Sequence, residues 1–208
     1  MRHLLRPILW CLPAVVIGNS PVAAADYSET FEETRPVQEM FEGQLLIGET
    51  GGWKGEIKKG TYFLIDRQSP GAIKPIVLPQ PVEGGKITVS IFGQFQGDKA
   101  GAGLAYGYEL GGYYAFLVRP NKGYALYRVG SEGMQLLSKG SNDAIQVASV
   151  NRLSAELDGT QAVLFVNGER VFAHAATSDA PLAGQVGIVA IDVGAYSFDD
   201  FSLSRGGK

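Results

Sequence analysis

Acidic side chains near the two ends of the chain are the first candidates for chemistry. Glycoside hydrolysis needs two carboxylates that face one cleft. Glu29, Glu32 and Glu33 lie on or beside a predicted first strand, and Asp199 or Asp200, near the predicted last strand, would supply the second carboxylate. The competing interpretation, which we favour, is that these residues form ordinary solvated surface. The sequence therefore predicts no catalytic residue in this group.

The sequence contains few of the histidine and cysteine side chains that typically bind metal ions. His174 is the only histidine beyond His3, and zinc typically takes three or four N, S or O ligands. A Ser-His-Asp arrangement would need His174 as its base, and no G-x-S-x-G turn accompanies it. Calcium requires only oxygen ligands, and Asp192, Asp199 and Asp200, near the terminal strands, are its weak candidates. We predict no other cofactor.

Aromatic residues give the strongest indication of binding. Six tyrosines fall on three neighbouring predicted strands, at positions 106, 108, 113, 114, 124 and 127. Because side chains alternate along a strand, Tyr113 and Tyr114 must face opposite sides of the sheet. We predict that Tyr114 faces inward with Phe116 and Val118. Tyr113 is then predicted to face outward, on the same side of the strand as Arg119.

Sugars suit such an outward surface, since their apolar ring faces stack on aromatic side chains while charged or amide groups bind the hydroxyls. The predicted ligand-binding residues are Tyr113, Arg119, one or both of Tyr124 and Tyr127, and Trp53. An exposed sheet face without a ligand would have the same pattern. Trp53, in the loop GETGGWKGE, has the alternative role of plugging one end of the fold.

The sequence predicts that the elements which position these residues are all β-strands. Short runs rich in Val, Ile, Tyr and Phe alternate with Gly, Asn-Gly and Asp-Gly turns. The predicted strands are Tyr27–Glu32, Thr61–Asp66, Gly85–Gln96, Gly103–Leu110, Tyr113–Arg119, Tyr124–Val129, Met134–Ser138, Asn151–Leu157, Ala162–Val166, Glu169–Ala173, Gly184–Val193 and Ala195–Ser204. Ala72–Leu78 is a further candidate, which Pro75 limits to an edge strand or an irregular segment. Their short connections require antiparallel pairing, so we predict an all-β, two-sheet antiparallel sandwich.

The N-terminus has the pattern of an export signal. A basic start precedes an apolar stretch over residues 7–18, which is too short to span a bilayer, and small residues follow up to Ala25. We predict cleavage there, against the alternative of an uncleaved anchor, leaving residues 26–208 as one domain in the bacterial periplasm or outside the cell. Cys11, the only cysteine, would leave with the signal, so no disulfide is predicted.

Charge excludes one class of partner. The net charge is −3 and no Lys/Arg cluster occurs, so nucleic-acid binding has no electrostatic basis. No second long apolar segment follows residue 25, and we therefore expect no membrane insertion after cleavage. The oligomeric state has no signature in the sequence.

Three segments resemble the concanavalin A-like lectin/glucanase superfamily, in its laminin G-like and "domain of unknown function 1080" branch. They are GAGLAYGYELGGYYAFL (101–117), NRLSAELDGTQAVLFVNGERV (151–171) and GQVGIVAIDVGAYSFDDFSL (184–203). The resemblance implies a jelly roll, a fold that hosts sugar-binding modules, adhesive modules and 3-keto-glycoside hydrolases. Its glycosidases share an E-x-D-x-x-E strand. Here Glu156 and Asp158 match, the third carboxylate is missing, and Asp158 belongs to a hairpin turn.

Three functions remain open from the sequence. The leading hypothesis is a non-catalytic module that binds glycan or another surface polymer through an aromatic-bearing sheet face. The second, which rests on the resemblance, is a glycoside-processing enzyme with a pocket built from Glu29, Glu56, Asp66 or His174. The third is a module that docks another periplasmic protein.

Overall fold

The computed structural model describes residues 27–31, 41, 44–177 and 181–205. Their strands are β1 (Tyr27–Glu29), β2 (Gly48–Thr50), β3 (Trp53–Lys58), β4 (Thr61–Asp66), β5 (Ile73–Val77), β6 (Gly85–Phe95), β7 (Gly101–Glu109), β8 (Gly112–Arg119), β9 (Gly123–Gly130), β10 (Gly133–Ser141), β11 (Asn151–Leu157), β12 (Gln161–Val166), β13 (Glu169–Ala175), β14 (Gln185–Ile191) and β15 (Gly194–Ser204). The predicted signal segment, residues 1–25, lies outside the described residues.

Two antiparallel sheets form a sandwich, as the turn pattern predicted. Sheet A has the order β13-β12-β11-β6-β15-β4-β3-β2, with β1 also paired to β15, and sheet B has the order β10-β9-β8-β7-β14-β5. The Asp158-Gly159 and Asn167-Gly168 turns join β11 to β12 and β12 to β13, where Gly159, Asn167 and Gly168 take positive φ angles. The two-sheet, all-β fold class is confirmed.

The core between the sheets follows the alternation of each strand. Ile87, Val89 and Ile91, at alternate positions of β6, are fully buried and face sheet B. Tyr114 and Phe116 of β8 enter the same core from the other side, as expected for inward-facing residues. Burial of this much apolar surface is the main force that holds the two sheets together.

Three predicted elements differ from the structure. The first strand ends at Glu29, and Phe31 has a φ of 50°, a left-handed conformation that a strand cannot continue through. The stretch before Trp53 was expected to be loop throughout, yet Gly48–Thr50 forms β2, and Trp53 itself begins β3. Both strands are polar and glycine-rich, and their conformation follows from pairing, since β3 pairs with β4 and β2 pairs with β3. No helix within the described residues is long and apolar enough to cross a membrane.

Candidate functional site

The face of sheet B that points away from sheet A is apolar at its centre. Register places Tyr113, Ala115 and Leu117 of β8 on this outer face, with Tyr127 of β9 opposite Ala115. Leu117 is 0 % exposed and Tyr113 only 7 %. These side chains belong to a second apolar cluster whose described members all come from sheet B: Ile73, Val77, Ala105, Tyr108, Tyr113, Ala115, Leu117, Tyr127, Val129, Val189 and Ile191.

This arrangement limits what the outer face can do for a sugar. Tyr113 faces outward as predicted, but its ring packs against Tyr108 with centroids 5.1 Å apart. Burial, and secondarily the neighbouring Tyr108 hydroxyl, raises the pKa of Tyr113 well above its ordinary value. Of Tyr124 and Tyr127, the one that faces outward is Tyr127, and its side chain is half-buried against the same cluster. A buried ring offers little surface for stacking, so the centre of this face lacks the features of a sugar platform.

Trp53 is buried at one end of the sandwich, as its alternative role of closing that end requires. Its side chain is 4 % exposed and belongs to the core between the sheets. It also borders a cavity of about 400 Å³ at the end of sheet A, lined by Glu49, Thr50, Gly51, Gly52, Trp53, Lys54, Ile65, Arg67 and Gln68. The described contacts of Trp53 are therefore those of a core residue at the end of the sandwich.

Tyr124 and Arg119 are both near one end of sheet B. Tyr124 faces inward, and its hydroxyl donates a hydrogen bond to the Val171 carbonyl at 3.2 Å, which ties β9 to β13 of the other sheet. Arg119 ends β8 on the outer face, opposite Gly123. Together they border a cavity of about 530 Å³, lined by Asp98, Arg119, Pro120, Asn121, Gly123, Tyr124, Lys139, Gly140 and Ser141. We call it the β8–β10 cleft.

Two glycines and an alanine keep the β8–β10 cleft open. Gly123 and Ala125 of β9 lie between Arg119 on β8 and Lys139 on β10, so no side chain larger than a methyl group separates the two cations. Gly140 lies against Tyr124: a Cβ at position 140 would come within 2.6 Å of the Tyr124 hydroxyl. The cleft depends on these small residues at their particular register positions.

The polar groups of the β8–β10 cleft are incompletely satisfied. The Arg119 Nε atom is buried and has no hydrogen-bond partner. Within the described part of the chain, the ion pairs are Lys54–Glu56, Lys86–Glu156 and Lys122–Asp143, and none includes Arg119 or Lys139. A buried donor without a partner costs free energy, and a ligand that accepts its hydrogen bond would recover it.

The calcium candidates do not form one site. Asp192 precedes β15, whereas Asp199 lies opposite Ser90, five residues beyond Gly194 and about 16 Å along the strand. Asp192 Oδ1 accepts hydrogen bonds from the Gly71 and Val193 backbone amides. No group of three or more His, Cys, Asp or Glu side chains placed to hold a metal occurs in the described residues.

The candidate catalytic carboxylates serve local structure. Asp158 Oδ1 accepts hydrogen bonds from the Thr160 hydroxyl and from the Gln161 and Thr160 amides, which lower the pKa of Asp158. Glu156 pairs with Lys86 at 3.0 Å on the outer face of sheet A. Glu29 accepts a hydrogen bond from the Phe31 amide at 2.7 Å. Glu32 and Glu33 lie outside the described residues.

His174 belongs to an aromatic contact between the two sheets. Its Nε2 lies 2.8 Å from the hydroxyl of Tyr106, which is fully buried, and its ring centroid lies 4.8 Å from that of Tyr114. Burial lowers the pKa of His174, and a weaker hydrogen bond to the Ala175 carbonyl opposes this shift. The neutral imidazole is therefore the form that this position favours.

The four residues of the hypothetical enzyme pocket are not gathered. Glu56 pairs with Lys54 at 2.8 Å, which lowers the pKa of Glu56. Asp66 is fully buried, and its Oδ1 accepts hydrogen bonds from the backbone amides of Gln68 and Ser69. None of Glu29, Glu56, Asp66 and His174 lines either of the two cavities described above.

Comparison with known proteins places the fold among jelly-roll sandwiches. No family model matches the chain, and no curated protein matches it. A Bacillus subtilis protein of unknown function with a galectin-like fold superposes with a TM-score of 0.63 at 14% identity, covering 89% of this chain and 97% of its own. A prokaryotic β-1,3-1,4-glucanase (lichenase) from a mouse hindgut metagenome gives a TM-score of 0.61 at 13% identity, with coverages of 87% and 99%.

The carbohydrate-binding module CBM66 from Bacillus subtilis superposes with a TM-score of 0.58 at 13% identity, covering 76% of this chain and 99% of its own. At such identities the likeness concerns the fold alone. It agrees with the resemblance to the concanavalin A-like lectin/glucanase superfamily, whose members share this architecture.

Sequence reasoning found two residues of the β8–β10 cleft and missed the rest. Arg119 and Tyr124 were predicted as ligand-binding residues, whereas Asp98, Asn121 and Lys139 were not. The one available signal was the turn Pro120-Asn121-Lys122-Gly123, which brings the end of β8 beside the start of β9. The approach of Lys139 depends on how β10 pairs with β9, including a bulge between Leu136 and Ser138 that shifts its register.

Proposed function

We propose that this protein binds glycan without acting on it, and that the β8–β10 cleft is the binding site. The observation that carries the proposal is the grouping of charged, amide and hydroxyl side chains beside one aromatic ring in a cavity of about 530 Å³. Arg119, Lys139, Asn121 and Ser141 offer hydrogen bonds to hydroxyls, and the edge of Tyr124 offers an apolar contact. A cavity of that volume can hold a sugar of one or two rings.

The fold likeness supports the same class of ligand. One structural neighbour is a carbohydrate-binding module and another a β-glucanase, so sandwiches of this shape include proteins that handle glycan. Fold alone does not determine activity, and the proposal therefore rests on the cleft. The laminin G-like and "domain of unknown function 1080" branch, the export of the protein after cleavage at Ala25 and its bacterial periplasmic or extracellular location remain predictions.

A titration of the purified domain with a panel of neutral and acidic oligosaccharides, followed by amide NMR, tests the proposal. We expect shifts at Asn121, Gly123, Gly140 and Ser141, with dissociation constants in the millimolar to micromolar range common for a small site, corresponding to about 4–8 kcal/mol. No shift with any sugar at about millimolar concentration would reject glycan binding at this cleft.

A pair of glycine variants locates the site. Gly140→Ala should abolish binding, because the new methyl group must displace the Tyr124 ring that borders the cavity. Gly111→Ala is the matched control, since a Cβ at position 111 would meet no atom within 4 Å. Equal binding by both variants would place the sugar elsewhere on the protein.

A second candidate function, docking of another protein, is favoured by one specific feature. Edge strand β10 exposes Met134, Leu136 and Leu137, with exposed fractions of 36%, 43% and 41%. Exposed apolar side chains on an unpaired edge are typical of strands that pair with another chain. Size-exclusion chromatography of native complexes tests it: a Leu136→Lys variant should lose any larger complex that the unaltered protein forms. The 3-keto-glycoside hydrolase alternative has no corresponding observation among the described residues.

A further inference from the structure

We infer that the β8–β10 cleft selects glycans that carry a carboxylate, such as oligomers of a uronic acid. The inference rests on the proposed glycan binding and names the chemical class of the sugar.

The two cations of the cleft, Arg119 and Lys139, are on the two strands that flank β9. Arg119 lies opposite Gly123, and Lys139 lies opposite Ala125, on the same outer face of sheet B. Neighbouring strands lie about 4.8 Å apart, so β8 and β10 are separated by about 10 Å. Side chains as long as arginine and lysine can converge across that distance on one small anion, because only hydrogen and a methyl group stand between them.

The charges around the β8–β10 cleft favour a negatively charged ligand. Arg119 and Lys139 take part in none of the ion pairs found in the described ranges, while the neighbouring Lys122 is already neutralised by Asp143 at 3.0 Å. Asp98 is the one carboxylate among the lining residues, and it is exposed. The cleft thus has one more cation than anion in a chain whose net charge is −3.

The shape of the donors favours a carboxylate in particular. The Arg119 Nε–H is buried without an acceptor, and a guanidinium presents Nε–H and Nη–H as a planar fork that matches the two oxygens of a carboxylate. A neutral hydroxyl would accept only one of these bonds. The amide of Asn121 and the hydroxyl of Ser141 remain for the ring hydroxyls that an acidic sugar shares with a neutral one.

Calorimetric titration with three matched ligands tests the inference: trigalacturonic acid, its fully methyl-esterified form and triglutamate. We expect the acid to bind about tenfold or more tightly than its neutral ester, since the charge-assisted contacts are lost in the ester. Raising the ionic strength from about 0.05 M to about 0.3 M should weaken binding of the acid and leave binding of the ester unchanged. This salt comparison uses the unaltered protein and needs no variant.

Side-chain variants assign the effect. Arg119→Lys, which keeps the charge and removes the fork, and Lys139→Gln, at an exposed position, should each reduce the preference for the acid. Arg170→Gln, at an exposed position on β13 at the edge of the other sheet, should leave it unchanged. Near-ultraviolet circular dichroism checks that each variant is folded.

The outcomes separate the inference from the proposed function. Equal binding of acid and ester would overturn the selectivity for carboxylates and leave glycan binding in place. Binding of neither sugar would overturn both. If triglutamate binds as tightly as trigalacturonic acid, the cleft recognises negative charge without recognising the sugar. That result would also overturn the inference.

Discussion

Sheets A and B differ in how their outer faces are built. In β4 of sheet A, Tyr62, Leu64 and Asp66 are buried while Thr61, Phe63 and Ile65 between them are partly exposed. In β8 of sheet B, every residue from Tyr113 to Val118 is buried. Alternation is the ordinary pattern of an antiparallel sheet with one face in water, whereas continuous burial means that both faces of β8 are excluded from solvent.

The difference shows where polar chemistry can occur on sheet B. Its outer face carries alanine, leucine, valine and isoleucine around Tyr113, and apart from Tyr108 and Tyr127 the side chains beside Tyr113 have no groups that bind hydroxyls. Arg119, where β8 ends, and Lys139, which β10 brings beside it, line a cavity at the margin of this sheet. The candidate site is therefore at the margin of the sheet, not at its centre.

The strongest test of this comparison is a matched pair of truncations on the two outer faces. Leu117→Ala removes a fully buried side chain from the outer face of sheet B, and we expect a loss of about 2–5 kcal/mol in the free energy of unfolding. Val163→Ala removes a partly exposed side chain from the outer face of sheet A and should cost about 1 kcal/mol or less. Urea unfolding measures both, and equal losses would contradict the difference between the faces.

Alkaline pH should destabilise the protein through its buried tyrosines. Burial raises the pKa of Tyr62, Tyr106, Tyr113 and Tyr196 above the ordinary tyrosine value of about 10. Above that pH the unfolded chain releases these protons and the folded chain retains them, so stability falls as pH rises, by about 1.4 kcal/mol per pH unit for each tyrosine. Below that pH the stability from these groups is fully present.

Urea unfolding between pH 8 and pH 11 measures this slope. The Tyr113→Phe variant should show a shallower slope, because one of the tyrosines with a raised pKa is then absent. The same slope in both proteins would mean that the outer face of sheet B is open to base at Tyr113.

Mild acid should weaken the contact that joins the two sheets. The pKa of His174 is lowered from 6.5, so below that pH the unfolded chain takes up a proton that the folded chain resists. Stability should therefore fall as the pH decreases through 6.5 toward the folded pKa, and be fully present above it. His174→Gln should remove this acid dependence in thermal unfolding between pH 5 and pH 7, while a dependence that persists would assign it to other groups.

The smallest effect is expected on the polar outer face of sheet A. Lys86→Gln breaks the ion pair with Glu156, whose two side chains are about half exposed, and should change the free energy of unfolding by less than about 1 kcal/mol. High salt should remove even that difference, because ions in solution screen exposed pairs. A larger loss in urea unfolding would show that this face contributes more than its exposure suggests.

Strand positions were the most predictable part of the fold. Thr61–Asp66 and Asn151–Leu157 occur with the predicted bounds, because β-rich runs bounded by turns and an Asp-Gly hairpin signal define them locally. That Tyr113 and Tyr114 face opposite sides followed from alternation alone, and the predicted inward orientation of Tyr114 is the one observed. By contrast, β2 and β3 have polar sequences, and they became strands because β3 pairs with β4 and β2 pairs with β3.

The candidate site was less predictable, because its parts come from separate strands. Aromatic content drew attention to Tyr113 and Tyr127, which the structure places on an apolar cluster, and to Trp53, which it places in the core. Exposure of an aromatic side chain depends on what packs against it, and one strand does not encode that. Asp192, Asp199 and Asp200 are close in sequence, but the extended β15 separates the first from the other two.

The sequence by itself determined the all-β class, the hairpin turns and the division of each strand into two faces, since these depend on the pleat and on turn geometry within a few residues. Tertiary structure alone decided that the outer face of sheet B is apolar and buried, and that Arg119 and Lys139 share one cleft. Both depend on the order and register in which distant strands pair, and the hydrogen bonds that set this order join backbone groups common to every residue type.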